Sequence, residues 1–240
     1  MKEKIIFITP TYNANNQILD LHESLIEQNN KNWQWYIIDD MSTDETWHII
    51  NKLSSASDNI ICIKNSEKKH ALKNIYDTIY NIPEENLKNS IIAIVDGDDY
   101  LCNENTVEYI LKEYNKNTDV EALWTAHSWD INGLNISSEL PKNINPYHYP
   151  WVSSHLKTFT PEVFKKVNKE NFKDMNGEWF KRGYDQALYL PILQLAKGRK
   201  YLNETCYLYR MNSNSLKNRD ASEREQLNSV KLVRARGLIE

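Results

Sequence analysis

The first hundred residues alternate short apolar runs with stretches of helical spacing, and this alternation constrains the fold more than any other feature. The apolar runs cover residues 5–9, 33–38, 60–63 and 91–95. Between them, as in residues 18–26 and 72–80, apolar residues recur three and four positions apart, which is the spacing of one helix face. Strands joined by helices form βαβ units with right-handed crossovers. The pattern therefore predicts a parallel sheet that is buried on both faces.

Polar segments follow all four predicted strands. They are TPTYN (residues 9–13), DDMSTDE (39–45), KNSEKKH (64–70) and DGDDY (96–100). In an open parallel sheet, ligands bind beyond the carboxyl ends of the strands. We therefore expect these segments to meet at one edge of the sheet and to line a crevice there.

The fourth segment is unusual because three carboxylates stand within four positions at the end of a buried strand. Asp96, Asp98 and Asp99 surround Gly97, which permits a sharp turn and a close approach of the backbone to a ligand. An EF-hand loop that began at Asp96 would need glycine sixth and glutamate twelfth, where this chain has leucine and valine. Two interpretations stay open. One is a solvated turn; the other is a divalent metal site in which one or two carboxylates are completed by phosphate oxygens and water.

The second half of the chain has a less regular pattern. The spacing predicts, in order, a helix over 107–114, a strand over 120–131, a long irregular loop over 132–150, a helix over 184–198 that Pro191 kinks, a strand over 204–210 and a terminal helix over 222–238. A loop as long as the one over 132–150 is usually a lid, a binding loop or disordered.

Composition excludes several classes of protein. The net charge of −4 argues against a nucleic-acid binder, and no apolar run approaches the roughly 20 residues of a transmembrane helix. The apolar part of the N-terminus is too short for a signal peptide. Cys62, Cys102 and Cys206 are odd in number and widely spaced, without the CxxC pattern of a structural zinc site. They favour reduced thiols in a cytoplasmic protein.

The order of these motifs resembles a known family. TPTYN (9–13), IIDDMSTDET (37–46) and IVDGDDYL (94–101) are similar to the nucleotide-binding half of inverting family 2 glycosyltransferases. Residues 183–216 resemble the second half of those enzymes.

The resemblance implies the GT-A fold, an α/β architecture with a Rossmann-like, mainly parallel sheet flanked by helices. We expect one domain over residues 1–240. It would comprise a nucleotide-sugar-binding half (1–115), an acceptor-binding half (116–218) and a C-terminal helix (219–240).

Carried over by position, the resemblance implies a nucleotide and metal site at the sheet edge. Asp39 would accept the imide N–H of uracil or thymine, which favours UDP or dTDP. Asp98 would bind Mn²⁺ or Mg²⁺ directly, while Asp96 would face the ribose and the waters of the metal. The other nucleotide contacts would come from Pro10, Thr11, Tyr12, Lys73 and Gly97.

On the acceptor side, Asp185 occupies the position of the family's catalytic base. Tyr184 stands where the family usually has a preceding acid, and aspartate is also a common helix N-cap, so a capping role for Asp185 stays open. The candidate acceptor contacts are Trp124, His127, Trp129, His155 and Arg210. Sugar rings stack on aromatic side chains, but large aromatic residues are as often part of the core. A structural histidine and a surface ion pair are the corresponding alternatives for His155 and Arg210.

The function implied is an inverting, metal-dependent transfer of one sugar from a nucleoside diphosphate sugar to a glycan or lipid-linked acceptor. Cell-surface polysaccharide synthesis is the expected setting, in the cytoplasm or at the inner face of the membrane. A divalent cation would neutralise the leaving diphosphate, and a carboxylate on the opposite face would take the acceptor proton.

Two rival functions stay open. A nucleotidyltransferase would usually carry a glycine-rich, basic loop after its first strand, and TPTYNANNQ has neither feature. An inactive carbohydrate-binding protein on the same fold is disfavoured by the intact Asp96, Asp98 and Asp185.

Overall fold

The computed structural model describes residues 1–211 and 219–240. Its first half follows the predicted alternation of strands and helices. The elements are β1 (Lys4–Thr11), α1 (Gln17–Ile26), β2 (Trp33–Asp39), α2 (Thr46–Ala56), β3 (Ile60–Lys64), α3 (His70–Asn81), the short α4 (Glu84–Leu87) and β4 (Ser90–Ile94).

The second half adds strands of mixed direction. Its elements are β5 (Tyr100–Leu101), α5 (Thr106–Lys116), β6 (Val120–Trp129), β7 (Lys157–Phe159), α6 (Pro161–Lys165), α7 (Tyr184–Leu195), β8 (Gly198–Tyr209) and α8 (Arg219–Arg236). Gly198 therefore begins a strand and does not end the preceding helix. Strand β8 is also longer than the predicted strand over 204–210.

The described strands form one eight-stranded sheet in the order β3-β2-β1-β4-β7-β6-β8-β5. The first four run parallel, as predicted, whereas β7 is antiparallel to both β4 and β6. In the parallel part, Thr11 is paired with Asp39, and Asp39 with Lys64. The ends of β1, β2 and β3 therefore meet at one edge of the sheet.

The sheet is buried on both faces, as the apolar runs predicted. Along β1, Ile6 and Ile8 pack with α3 and α7 on one face, while Ile5 and Phe7 pack with α1 and α5 on the other. Burial on two faces requires consecutive apolar residues instead of alternation, which explains the unbroken IIFI run.

The long loop over 132–150 packs against the body of the protein. Tyr147 lies in a short 3-10 helix (Pro146–His148), and both Tyr147 and Leu140 are buried. Arg234 of α8 donates hydrogen bonds to the backbone carbonyls of Tyr147 at 2.9 Å and Tyr149 at 2.7 Å. In the described part of the chain, no helix combines the length and the apolar character needed to cross a bilayer.

Candidate functional site

The acidic turn between β4 and β5 lies directly against the end of β1. A methyl group added to Gly97 would stand 2.5 Å from Thr11 Oγ1 and 2.8 Å from Thr11 Cβ. Such distances are shorter than van der Waals contact, so only glycine lets the two segments approach this closely.

Asp99, the third acid of the turn, has a structural role. It is fully buried and accepts hydrogen bonds from the Tyr207 hydroxyl at 2.7 Å and the Arg210 backbone N–H at 2.8 Å. Burial, reinforced by the charges of Asp98 and Asp96, raises the pKa of Asp99 to about 9. Asp99 therefore ties the turn to β8.

The other two acids line a cleft of about 660 Å³ at the carboxyl edge of the parallel strands. Its walls include most of the predicted site residues, namely Pro10, Thr11, Tyr12, Asp96, Gly97, Asp98, Trp129, His155 and Asp185. The structure thus brings the acidic turn and the expected base, which lie almost 90 residues apart in the sequence, to the same cleft.

Asp185 lies in the first turn of α7. Gly183 occupies the N-cap position with a φ of +64°, and no side chain makes a capping hydrogen bond there. The capping alternative for Asp185 therefore does not hold. An anionic side chain in the first turn of a helix is favoured by the helix dipole.

Two side chains connect Asp185 and its neighbour to the rest of the site. The Tyr184 hydroxyl donates a hydrogen bond to Asp96 Oδ1. Lys157 Nζ lies 2.7 Å from Asp185 Oδ1, with the lysine side chain 1% exposed and the aspartate side chain 30% exposed. The arrangement around Asp185 Oδ1 lacks hydrogen-bond geometry, so this contact is an ion pair without a directed hydrogen bond.

The cleft concentrates negative charge. Burial, followed by the charge of Asp185, raises the pKa of Asp96 to about 6, although Lys157 and the Tyr184 hydroxyl oppose this shift. His155 is buried, and burial together with the charge of Lys157 holds its pKa well below the usual value. The His155 ring is therefore neutral, and it stacks on Tyr207 with ring centroids 4.6 Å apart.

Asp39 and Asp40 have different environments. Asp40 accepts hydrogen bonds from the backbone N–H groups of Lys69 at 2.8 Å and His70 at 2.9 Å. Burial opposes ionisation of Asp40, but these bonds and the one from the Asn65 side-chain amide at 2.8 Å outweigh it and lower its pKa. Asp40 therefore holds the loop before α3.

Asp39 retains an acceptor atom that the described residues do not use. Its Oδ1 accepts a hydrogen bond from the Ser42 N–H at 3.2 Å, whereas its buried Oδ2 has no donor within the described part of the chain. Thr11 Oγ1, on the neighbouring strand, is likewise buried without a hydrogen bond from the described residues. Buried polar atoms are normally paired, so unpaired ones at a strand end are candidates for ligand contacts.

Five of the expected site residues are not part of the lining of this cleft. Asp39 is one of them: it is fully buried at the end of β2, where it is paired with Thr11. Lys73 pairs with Asp77 at 2.9 Å on α3. Trp124 is buried and donates its indole N–H to the Ser138 carbonyl, and His127 is buried against Ser137.

Arg210 is the fifth of these residues. It pairs with Asp20 at 2.6 Å and lines a separate cleft of about 810 Å³ that does not contain the acidic turn. Trp124 is therefore a core residue and Arg210 forms a surface ion pair, which are the structural alternatives stated for them, and His127 is likewise buried outside the lining of the cleft.

The cleft also contains residues that the sequence patterns did not indicate. Lys181 and Arg182 precede Asp185 in its lining, and Tyr209 of β8 also lines it. Lys157 belongs with this group through its ion pair with Asp185. The only sequence signal was position: Lys181 and Arg182 stand directly before the segment assigned to the base.

The donor set at the acidic turn fits a divalent cation. Among the described residues, no three His, Cys, Asp or Glu side chains form a group that would enclose a metal. Mg²⁺ and Mn²⁺ need fewer protein ligands when substrate phosphates and waters complete the shell. Asp96 and Asp98 supply the hard oxygen atoms that these ions prefer. Burial, and after it the charge of Asp185, raises the pKa of Asp96, and a cation beside it would favour the ionised form.

Comparison with known proteins bears on the identity of the chain. The model of the family described as "Glycosyl transferase family 2" matches residues 6–187. The Escherichia coli enzyme WfaP, a UDP-Glc:alpha-D-GlcNAc-diphosphoundecaprenol beta-1,3-glucosyltransferase, is 39% identical over 98 residues, which are 41% of this chain and 36% of that protein. Glycosyltransferase GlyG of Streptococcus pneumoniae is 23% identical over 228 residues, 90% of this chain and 73% of GlyG.

Solved structures share the fold. TarS of S. aureus (residues 1–349) superposes with a TM-score of 0.67 at 20% identity, over 86% of this chain and 60% of that chain. The mannosyltransferase PcManGT from Pyrobaculum calidifontis, solved with GDP-Man and Mn²⁺, gives a TM-score of 0.62 at 13% identity, over 95% and 62% of the two chains. The expected GT-A fold is confirmed. The chain spans little more than a third of WfaP and about 60% of these two solved chains.

Proposed function

The chain belongs to glycosyl transferase family 2, and from this premise we propose that it transfers one sugar from a nucleoside diphosphate sugar to a glycan or lipid-linked acceptor. We further propose that the reaction depends on Mn²⁺ or Mg²⁺ and inverts the anomeric carbon. Its setting would be the synthesis of a cell-surface polysaccharide, in the cytoplasm or at the inner face of the membrane.

One observation carries this proposal: the acidic turn and Asp185 line the same cleft from different elements. Asp96 and Asp98 follow β4, whereas Asp185 opens α7. Inversion requires attack on the sugar from the face opposite the leaving diphosphate. The acids of this cleft lie on separate elements, so they could act on opposite faces of one sugar ring. The acidic turn would bind the diphosphate with its cation, and Asp185 would take the proton of the acceptor hydroxyl.

The donor nucleotide would lie along the ends of β1 and β2. The unpaired Asp39 Oδ2 would accept the imide N–H of uracil or thymine, which makes UDP or dTDP the preferred carrier. Tyr12, with 48% of its surface exposed, offers a ring for the base or the ribose. Pro10 and Thr11 would complete the pocket, while Gly97 lets the acidic turn approach the nucleotide.

The diphosphate would lie at Asp98, with Asp96 beside it. A divalent cation bound there would neutralise the charge that develops on the leaving diphosphate. Asp98 is assigned as the direct ligand. The hydrogen bond from Tyr184 would hold the carboxylate of Asp96 in one orientation, in which it could face the ribose and the water molecules of a bound cation.

Asp185 would act as general base toward the acceptor hydroxyl. A hydroxyl group is a poor nucleophile until a positioned base takes its proton. Trp129 and His155 lie on the wall of the same cleft and would contact the acceptor or the transferred sugar. A lipid-linked acceptor agrees with the substrate named for WfaP, GlcNAc-diphosphoundecaprenol.

We propose that residues 1–240 act as one GT-A domain. The nucleotide half and the acceptor half share a single sheet, in which β7 of the acceptor half is hydrogen-bonded to β4 of the nucleotide half. The C-terminal helix α8 contacts both the long loop and α7 through Arg234.

The experiment that tests this function has two stages. Thermal shifts are measured with UDP-glucose, UDP-N-acetylglucosamine, dTDP-glucose and GDP-mannose, each with Mn²⁺ and again with excess EDTA. A ligand that binds the native state raises the melting temperature by mass action. Release of free nucleoside diphosphate is then followed for the best donor, with and without sugar acceptors. A Mn²⁺-dependent shift together with release supports the proposal. The same binding without release would indicate the inactive carbohydrate-binding alternative.

A further inference from the structure

Lys157 is the only lysine among the fully buried residues of the described chain. It opens β7, where its register partners are Ile94 on β4 and Trp124 on β6. Both neighbours are apolar and buried. An ammonium group in such a place loses its hydration, so a methionine or leucine would suit the packing better unless the charge has a partner.

Three polar groups surround the Lys157 ammonium. It donates a hydrogen bond to the Ser154 carbonyl at 2.7 Å and contacts His155 Nδ1 at 3.4 Å. Both are close neighbours in sequence. The third is Asp185 Oδ1 at 2.7 Å, the only one of the three that comes from another element and the only one that carries a charge. Because His155 is neutral, the charge of Lys157 is balanced mainly by Asp185.

The ion pair fixes which part of Asp185 faces the cleft. Asp185 Oδ1 is buried against Lys157, whereas 30% of the side chain remains exposed. The exposed part therefore lies on the side of the carboxyl group that points away from Lys157. A base that accepts a proton from a bound hydroxyl must present one oxygen within about 2.6–3.2 Å of it. Holding the other oxygen restricts the rotation of the carboxyl group.

We propose that Lys157 is a positioning residue for the reaction: it holds one oxygen of Asp185 so that the other faces the acceptor hydroxyl. This inference rests on the proposed role of Asp185 as general base. Nothing in the family resemblance assigns a role to Lys157. The same ammonium lies close enough to Asp96 to offset part of the repulsion between the base and the acidic turn.

A purely structural role for Lys157 makes different predictions. If Lys157 only filled space between β4 and β6, methionine would replace it without kinetic consequence, because its unbranched side chain can fill most of the same space. If it only stabilised the fold, its loss would lower the amount of active protein without changing the turnover of each active molecule. The positioning role instead predicts a change in kcat that requires Asp185.

The test compares Lys157→Met, Lys157→Arg, Asp185→Asn and the double variant Lys157→Met with Asp185→Asn. Lys165→Met is the matched control, because it removes a lysine that pairs with Glu84 at 2.6 Å on the protein surface. For each protein, UDP affinity with Mn²⁺ is measured by calorimetry. The kcat and KM for release of UDP are measured with the better of UDP-glucose and UDP-N-acetylglucosamine.

We expect Lys157→Met to lower kcat by up to about 100-fold, as displaced catalytic groups do, with UDP affinity and donor KM nearly unchanged. Lys157→Arg should recover a large part of that loss, because it restores the positive charge. In the Asp185→Asn background, Lys157→Met should cause little further loss, since coupled residues are not additive. Lys165→Met should behave as wild type. If Lys157→Met does not fold, Lys157→Gln replaces it in the same comparison, because glutamine keeps a donor for Ser154 but removes the charge.

Three results would overturn the proposal: an unchanged kcat in the charge-removing variant, an equal loss of kcat with and without Asp185, or a loss of UDP affinity in place of kcat. Failure of the underlying function has a different signature. In that case the wild-type protein and Asp185→Asn release UDP at the same rate. Both the proposed role of Asp185 as general base and the proposed role of Lys157 would then be wrong.

Discussion

The Tyr184 hydroxyl donates a hydrogen bond to Asp96 Oδ1, which joins the first turn of α7 to the acidic turn after β4. The two residues are 88 positions apart in the sequence. Tyr184 is also the neighbour of Asp185, so one hydrogen bond fixes the spacing between the proposed base and the proposed metal site. Where the family resemblance implies an acid, this chain uses a neutral donor.

Tyr184→Phe tests this link by removing a single oxygen atom. A hydrogen bond to a charged group contributes about 1.5–3 kcal/mol, so we expect UDP binding with Mn²⁺ to weaken by roughly 10-fold or more. Calorimetry of the folded variant measures the change. Tyr201→Phe is the control, because the Tyr201 hydroxyl bonds Asn203 outside the cleft. Equal UDP affinity in Tyr184→Phe and wild type would show that the link does not hold the site.

Asp98→Asn tests the proposed metal ligand. Replacing a carboxylate by an amide removes the charge that attracts the cation but keeps the shape of the side chain. We expect Mn²⁺-dependent UDP binding to fall and UDP release to stop, while the melting temperature without ligand stays close to wild type. Undiminished Mn²⁺-dependent binding in calorimetry would assign the metal to other residues.

The sequence predicted best those features of the site that depend on residues close together in the chain. The ends of β1, β2 and β4 carry polar segments next to apolar runs, and these alone predicted which residues reach the sheet edge. The DGD turn needed no long-range information, because glycine and two carboxylates at a strand end already specify a tight acidic turn.

The proposed acceptor side was harder to predict because it depends on pairing between distant segments. β7 is three residues long and lies between β4 and β6, and no sequence period marks so short a strand. The contact between Lys157 and Asp185 follows from that insertion. The two tryptophans of β6 are the same residue type but lie in different environments. Trp124 is core and Trp129 lines the cleft, a difference set by position along β6 and by the bulges between β6 and β8.

Asp39→Asn tests the proposed preference for a pyrimidine nucleobase in the donor nucleotide. The wild-type protein should bind UDP and dTDP more tightly than GDP and ADP, since an unpaired buried acceptor costs roughly 1–3 kcal/mol. In the variant, the oxygen can keep the bond from Ser42, while the amide group meets the imide N–H of uracil donor to donor. We therefore expect the preference for UDP over GDP to shrink by about 10-fold or more in competition binding. A wild-type preference for GDP would contradict the assignment of Asp39.

Gly97→Ala tests the contact between the acidic turn and β1. The added methyl group would lie 2.5 Å from Thr11 Oγ1, so the turn must move. Overpacking of this kind typically costs about 1–3 kcal/mol, which lowers the melting temperature of a chain of this size by several degrees. Donor affinity should fall as well. Gly177→Ala is the control for UDP affinity, because it lies outside the lining of the cleft, and although its positive φ makes alanine strained there, open space surrounds the position. A Gly97→Ala protein with wild-type stability and UDP affinity would show that the contact is not needed.

The central claim is that Asp185 takes the acceptor proton in a cleft whose other wall binds the metal and nucleotide. The most direct measurement compares UDP affinity and UDP release for wild type and Asp185→Asn, in the same preparations with Mn²⁺. Asparagine keeps an oxygen for Lys157, so the variant should fold and bind UDP normally. A lost general base should lower the rate of release by about 10²–10⁴-fold. Release at a near wild-type rate by a variant that still binds UDP would contradict the account and place the base elsewhere.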